Sequence, residues 1–300
     1  MPSKTENSVT TATPTLGEEI NIATRPLHTN LNKLIIHRLR LALPPHAGDA
    51  KNYVTGLLHI APIYQAFERE WDAILENSPT AAKSEDRVRS LLADLHIDGL
   101  ARANALQEDI AALLGRNDAL VRTRMESVSQ APVLVEFQEH IHKAIQARPH
   151  VLVAYAWVLY MALFSGGRFI RASLERVDRS TGFWSHPASS NDTSEPEFKI
   201  PGAFDAFPVE EDLRKHYSQP PPLNFFRFDT PEDGEDLKNI FKETLAMETS
   251  IPEPRLTDEE RADIVKEAQA IFEHMIRIVG ELDKICGTEY EEQVAAATAK

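Results

Sequence analysis

Apolar residues recur along most of this 300-residue chain at intervals of three and four, the spacing that places them on one face of an α-helix. Alternation typical of strands is confined to very short runs, so the pattern predicts an all-α protein. A first helix begins near Leu16, after a capping-box pair formed by Thr15 and Glu18. The later helices are predicted over Asn52–Glu76, Ser84–Leu95, Ile97–Leu114, Val133–Ala147, His150–Arg176, Glu210–His216, Glu235–Met247 and Thr257–Ile285.

The most unusual of these helices is the apolar segment AYAWVLYMALFSGGRFIR, residues 154–171, because Gly166 and Gly167 lie inside it. Each glycine costs a helix about 1 kcal/mol relative to alanine. The pair therefore indicates either a bend or a ligand that needs bare backbone. Close packing against another helix is the ordinary alternative, and the sequence leaves these readings open.

The order of composition along the chain predicts three parts. Residues 1–14 are rich in Ser and Thr and are expected to be disordered, residues 15–285 form one helical domain, and residues 286–300 are a polar tail. Within the domain, residues 178–224 change to Pro, Ser, Asn and Asp. We expect a long surface excursion there, with at most one short helix.

Composition excludes several classes of function. A net charge of −14 without any Lys/Arg-rich block argues against a nucleic-acid partner. The single cysteine, Cys286, excludes an internal disulfide and suits a reducing compartment. No run reaches the ~20 apolar residues of a membrane span. The N-terminus lacks both a signal-peptide core and arginine, so we expect a cytoplasmic protein, with a mitochondrial address as the alternative.

Candidate ligand chemistry is concentrated on the first helix. His28 shares one face with Arg25 and Asn32, and a lone histidine on such a face is more often structural than a metal ligand. Glu139 and His142 form one Glu-x-x-His pair, but no second pair completes a di-iron site. Phosphate-binding glycine loops, nucleophile elbows and Cys-x-x-Cys pairs are absent from the sequence.

Four segments in order resemble the haem oxygenase family. LGEEINIATRPLHTNLNK is similar to its proximal helix, VLVAYAWVLYMALFSGGRFI to its distal helix, LNFFRF to its short aromatic stretch, and KEAQAIF to part of its C-terminal helix. The resemblance covers about residues 16–285. It implies a haem oxygenase-like multi-helical bundle with haem, iron protoporphyrin IX, as cofactor and His28 as the iron ligand.

The resemblance also implies roles for further residues. Propionate-binding cations would be Arg25, Lys238 and Lys242, the two lysines presenting their ammoniums on one helix face. The other residues implied at the haem are Tyr160 and Phe272, with Gly166 and Gly167 at the distal kink. An active member of the family would also use O2 and an electron-donating reductase.

Departures from the family lie where its oxygen chemistry takes place. The family's distal motif YLGDLSGG corresponds here to YMALFSGG, so Leu163 replaces an aspartate that orders distal water. Ala61, Leu159 and Met275 stand where Tyr, Arg and Asn are common. Three hypotheses therefore stay open: haem cleavage to biliverdin, CO and Fe2+, haem binding or sensing without catalysis, and a haem-free member of the fold.

Overall fold

The computed structural model describes residues 14–76, 83–184, 221–248 and 255–288. Within these ranges the chain is helical and contains no strand, which confirms the predicted all-α class. Its helices are α1 (Leu16–Leu41), α2 (Lys51–Glu76), α3 (Lys83–Leu95), α4 (Ala103–Leu113), α5 (Asp118–Val128), α6 (Pro132–Ala147), α7 (Pro149–Glu175), α8 (Glu235–Glu248) and α9 (Asp258–Cys286). Single 3₁₀ turns lie at Arg179–Thr181 and Asn224–Phe226.

Helices α1 and α9 pack against each other along their length and run parallel. Near their N-termini Arg261 Nη2 lies 2.8 Å from Glu19 Oε1, and towards their C-termini Arg38 Nη2 lies 2.6 Å from Asp283 Oδ2. Both helices begin with a capping box, as predicted for α1 from Thr15 and Glu18. Satisfying the first backbone N–H groups in this way fixes where each helix starts.

The central helix α7 is wound more loosely than a regular α-helix. Two π-turns, Ala156–Tyr160 and Leu163–Gly167, follow its α-helical start, and α-helix resumes at Arg168. The glycine pair therefore lies in a widened turn, a feature that is frequent at functional sites. By length and composition α7 could cross a membrane, but 78% of its apolar window is buried inside the bundle, as expected of a core helix.

Two helical predictions differ from the structure. The segment predicted from Ile97 becomes helical only at Ala103, because Gly99 adopts a φ of +85° that ends any earlier turn. Helix α5 was not predicted, since among its residues only Val128 is buried and its apolar periodicity is weak. The predicted helix Glu210–His216, most of the 178–224 excursion, residues 1–13 and the tail from 289 lie outside the described residues.

Candidate functional site

A cavity of about 810 Å³ lies between α1, α2, α7 and α9 and is closed on one side by the turn Asn224–Phe226. Cavities that hold organic ligands measure about 300–1,000 Å³. Apolar side chains form most of its wall, and His28 is the one histidine among the lining residues. Its size and composition suit a large, mostly apolar ligand.

Helix α1 brings His28 to the cavity by its periodicity. His28, Leu31, Ile35 and Arg38 follow each other at intervals of three and four, and all line the cavity. The imidazole of His28 is exposed and meets the edge of the Phe272 ring, with centroids 5.8 Å apart and planes at 80°. In the described part of the chain no hydrogen bond or ion pair involves His28, so its ring nitrogens are free to bind a ligand.

The two adjacent glycines of α7, Gly166 and Gly167, differ in what surrounds the position of their missing side chains. A Cβ atom built on Gly166 would meet nothing within 4 Å, and Gly166 lines the cavity, so its bare backbone faces a ligand directly. Gly167 lines the cavity as well, but a Cβ on it would lie 3.3 Å from Phe226 Cδ1, so the missing side chain of Gly167 also makes room for Phe226. Gly56 on α2 is a further lining glycine with open space around its Cβ position.

The wall around Gly166 is apolar. Leu163 lines it and is 5% exposed, and Leu159 and Met275 line it as well, whereas Ala61 does not. Ser165 Oγ donates a hydrogen bond to the Met161 carbonyl and is therefore already engaged. Asp283 is the one acidic side chain among the described lining residues, and both of its oxygens accept hydrogen bonds from Arg38 on α1.

Tyr53 of α2 supplies a polar group that sequence reasoning missed. It lines the cavity, and its buried hydroxyl has no hydrogen-bond partner among the described residues. Burial raises the pKa of this phenol well above its ordinary value, and the nearby Asp109 carboxylate adds to the effect. The hydroxyl therefore stays neutral and can donate to a ligand.

The structure brings one of the three predicted propionate-binding cations to the cavity. Arg25 lines it, is exposed and forms no ion pair with another described residue. Lys238 and Lys242 do not line it: Lys238 Nζ donates to Glu235 Oε1 at 2.7 Å, and Lys242 is exposed on α8. Helix α8 buries a different face, formed by Leu237, Phe241 and Leu245, so the face with the two lysines points away from the core.

Arg38 is a second arginine that lines the cavity, and it lies outside the set of cations predicted from the sequence. Its guanidinium makes two hydrogen bonds to Asp283, from Nε to Oδ1 at 2.9 Å and from Nη2 to Oδ2 at 2.6 Å. The pair closes one end of the cavity between α1 and α9. The spacing from His28 through Leu31 and Ile35 was the signal that could have revealed it.

Tyr160 was expected at the haem, but the structure places it in the core. It is 2% exposed, does not line the cavity, and donates a hydrogen bond from its hydroxyl to Glu68 Oε1 at 3.0 Å. Its neighbours Leu159 and Met161 line the cavity instead. The π-turn Ala156–Tyr160 ends at this residue, and such a turn changes which side chains share a helix face.

The di-iron alternative receives no geometric support. Glu139 pairs with Lys143 at 2.8 Å, and His142 Nδ1 lies 2.7 Å from Glu70 Oε1. Within the described ranges no group of three or more His, Cys, Asp or Glu side chains is placed to hold a metal ion.

Comparison with known proteins identifies the family. The Heme oxygenase family model matches residues 14–281. The chain belongs to the haem oxygenase family. Among curated relatives, the "Heme-binding protein HMX1" of Saccharomyces cerevisiae is 24% identical over 275 residues, which cover 90% of this chain and 76% of that protein.

Solved haem oxygenase structures share the fold. Heme oxygenase 2 from Chlamydomonas reinhardtii, crystallised without haem, superposes with a TM-score of 0.59 at 19% identity, over 89% of this chain and 97% of that one. Heme oxygenase-2 from Synechocystis sp. PCC 6803, in complex with haem and NO, gives 0.59 at 17% identity, over 91% and 86%. The predicted haem oxygenase-like bundle is thereby confirmed.

Proposed function

We propose that this protein binds haem in the cavity, with His28 as the only protein ligand of the iron. One observation carries the proposal: an imidazole with free ring nitrogens and a glycine with a bare backbone, Gly166, line the same apolar cavity from different helices. Haem is a flat, mostly apolar group whose iron binds an imidazole, and a glycine without a side chain leaves room for such a ring. The residues present fit it.

Four further side chains of the cavity would contact or surround a bound haem. Phe272 packs its ring against the His28 imidazole and limits how that ring can turn. Arg25, one helical turn before His28, supplies a cation for a propionate. Leu159 and Leu163 exclude water from the wall around Gly166. Haem would be held by His28 and would supply an iron atom able to bind a small ligand.

Replacing His28 tests this proposal directly. The His28→Ala protein should bind haem without the ferric absorption spectrum of the wild type, and added imidazole should restore that spectrum by filling the space. His37→Ala is the matched control, because His37 lies on the same helix outside the cavity lining. An unchanged spectrum in His28→Ala would contradict ligation by His28.

Haem cleavage to biliverdin, CO and Fe2+ is a second candidate function, and it would require O2 and an electron-donating reductase. The observation in its favour is the open space at Gly166, which leaves room beside a bound haem. Leu163 argues for slow turnover, because it can neither hold water nor pass a proton. Haem-loaded protein given a reductant in air should retain its Soret band if it only binds haem, and should form bile pigment if it is an enzyme.

A further inference from the structure

A line of aromatic rings leads from the cavity wall to the protein surface. Tyr64 lines the cavity, and its ring centroid lies 6.3 Å from that of Tyr160. The Tyr160 ring stacks on Trp71 at 6.5 Å, and the Trp71 indole meets the His96 imidazole edge-on at 5.2 Å. The His96 side chain is 38% exposed, so the line ends in solvent. Tyrosine and tryptophan are the side chains that lose a single electron most readily after cysteine.

The hydrogen bonds along this line differ in a way that matters for oxidation. An oxidised tyrosine must release its phenolic proton, so it needs a base. The Tyr64 hydroxyl donates to the Leu159 carbonyl at 3.0 Å, which cannot take the proton. The Tyr160 hydroxyl donates to the Glu68 carboxylate at 3.0 Å. Burial raises the pKa of Glu68, which makes this carboxylate a better proton acceptor.

Glu68 is also held in place without Tyr160. Its two oxygens accept hydrogen bonds from the backbone N–H groups of Arg102, at 2.8 Å, and Ala103, at 3.0 Å, where α4 begins. The carboxyl group can therefore gain and return a proton while its position stays fixed. Tyr160 is in consequence the residue of the line at which a neutral radical is most stable.

We propose that Tyr64, Tyr160 and Trp71 carry oxidising equivalents out of the cavity one electron at a time, and so protect the site from peroxide. The inference rests on the proposed haem binding. The oxidant is hydrogen peroxide, which becomes two waters when it takes up two electrons and two protons in the cavity. The two electrons leave Tyr160 through Tyr64 in two successive cycles, and in each cycle the Tyr160 proton moves to Glu68. In each cycle one molecule of a one-electron reductant in solvent, such as ascorbate, returns an electron through Trp71 and releases one of the two protons that peroxide takes up, while Glu68 returns its proton to Tyr160.

Electron paramagnetic resonance tests the proposal on haem-loaded protein. A haem titration first establishes the Soret band, and rapid mixing with hydrogen peroxide followed by freezing should then give a tyrosyl radical. Tyr160→Phe should remove this signal while keeping the ring. Tyr155→Phe is the matched control, because Tyr155 is buried on the same helix and also donates to a carboxylate, Glu267, at 2.6 Å, but has no place in the line. It should leave the signal unchanged.

Two further measurements test the same proposal without relying on the Tyr160→Phe variant. Trp71→Phe should lengthen the lifetime of the radical in the presence of ascorbate several-fold, because the exit is blocked. Spin trapping and peptide mapping of the wild type should place the adducts on Tyr160 and Trp71. Failure to bind haem would overturn both proposals. Haem binding with no protein radical, or with a radical that persists in Tyr160→Phe, would overturn this one alone.

Discussion

At the scale of single residues, the cavity wall around Gly166 differs at one side chain above all from the family pattern that the sequence resembles. Leu163 occupies the position where the family pattern has an aspartate, and the structure places it in the wall beside Gly166. Leu159 and Met275 line the same wall without offering a carboxylate. Proton delivery would have to come from hydroxyls: Ser165 is engaged with the Met161 carbonyl, and burial raises the pKa of the Tyr53 phenol, which makes it a weak acid.

We therefore predict that Leu163→Asp increases haem cleavage. General acid assistance is worth roughly 10²–10⁴-fold, and a carboxylate here should recover part of that factor in bile-pigment formation by reduced, haem-loaded protein in air. Leu163→Asn is the control, since it is polar and of nearly the same size but cannot release a proton. Equal rates in both variants and the wild type would show that another proton route exists.

Arg25 is the second residue whose replacement should change a measurable quantity, the Kd for haem. Charge-assisted hydrogen bonds contribute about 1.5–3 kcal/mol, but Arg25 is exposed, so solvent screening reduces its share to about 1 kcal/mol and Arg25→Ala should weaken haem binding roughly fivefold. The pair Lys238→Glu and Lys242→Glu should change the Kd much less, since neither lysine lines the cavity. A larger loss in the lysine variant than in Arg25→Ala would reverse this assignment.

At the scale of elements, the position of α1 against α7 decides where His28 lies. Gly17 packs so closely under the Trp157 indole that a Cβ there would overlap Cη2 and would lie 2.6 Å from Cζ2 of that ring. The indole Nε1 also donates to Asn21 Oδ1 at 3.2 Å, and Trp157 itself lines the cavity. A glycine and a tryptophan thus fix the contact between the two helices that enclose the site.

Gly17→Ala should separate these helices. Overpacking of a filled core costs about 1–3 kcal/mol, and this loss should appear in denaturant unfolding together with weaker haem binding. Gly280→Ala is the comparison variant, because its Cβ would meet nothing within 4 Å on the exposed side of α9. That change should raise stability by about 0.5–1 kcal/mol. Equal stability of Gly17→Ala and the wild type would mean that Trp157 moves aside freely.

The sequence predicted elements better than it predicted which face each side chain occupies. Periodicity located the start of α1 and both ends of α2, α6 and α9 within one or two residues, and His28 and Phe272, both predicted at the haem, line one cavity. Tyr160, also predicted at the haem, does not line it, because a π-turn changes the helical phase, which regular 3.6-residue spacing does not anticipate. The helical spacing from His28 already points to Arg38, whereas Tyr53 lies on α2 and its place at the cavity follows only from the packing of α2 against α1 and α7. The cytoplasmic location stays a prediction.

At the scale of the whole molecule, α6, α7 and α9 meet around a cluster of ionisable side chains that do not line the cavity. Glu267 accepts hydrogen bonds from His140 Nε2 at 2.7 Å and Tyr155 Oη at 2.6 Å. The bond to Glu267 raises the pKa of His140. The His274 ring stacks on Phe137 at 4.6 Å, and its buried Nδ1 has no hydrogen-bond partner in the part of the chain that the structure describes. Burial lowers the pKa of His274, and the neighbouring His140 lowers it further.

These shifts give the stability of the fold a pH dependence whose sign can be worked out. A histidine whose pKa is lowered in the folded state binds a proton more readily when the protein is unfolded. Such a histidine therefore lowers the free energy of unfolding as the pH falls through about 6.5. Besides His140, the charges that face His274 are Arg277, which adds to the lowering, and Glu136 and Glu267, which oppose it.

His274→Phe keeps the stacking on Phe137 and removes the titrating group, so it should stabilise the protein more at pH 5.5 than at pH 8. The test is the difference in unfolding free energy between variant and wild type at the two pH values. His140→Phe should behave in the opposite way, because the raised pKa of His140 adds stability at acid pH that is lost as the pH rises through its folded-state value. A His274→Phe effect that is the same at both pH values would mean that His274 stays neutral throughout this range.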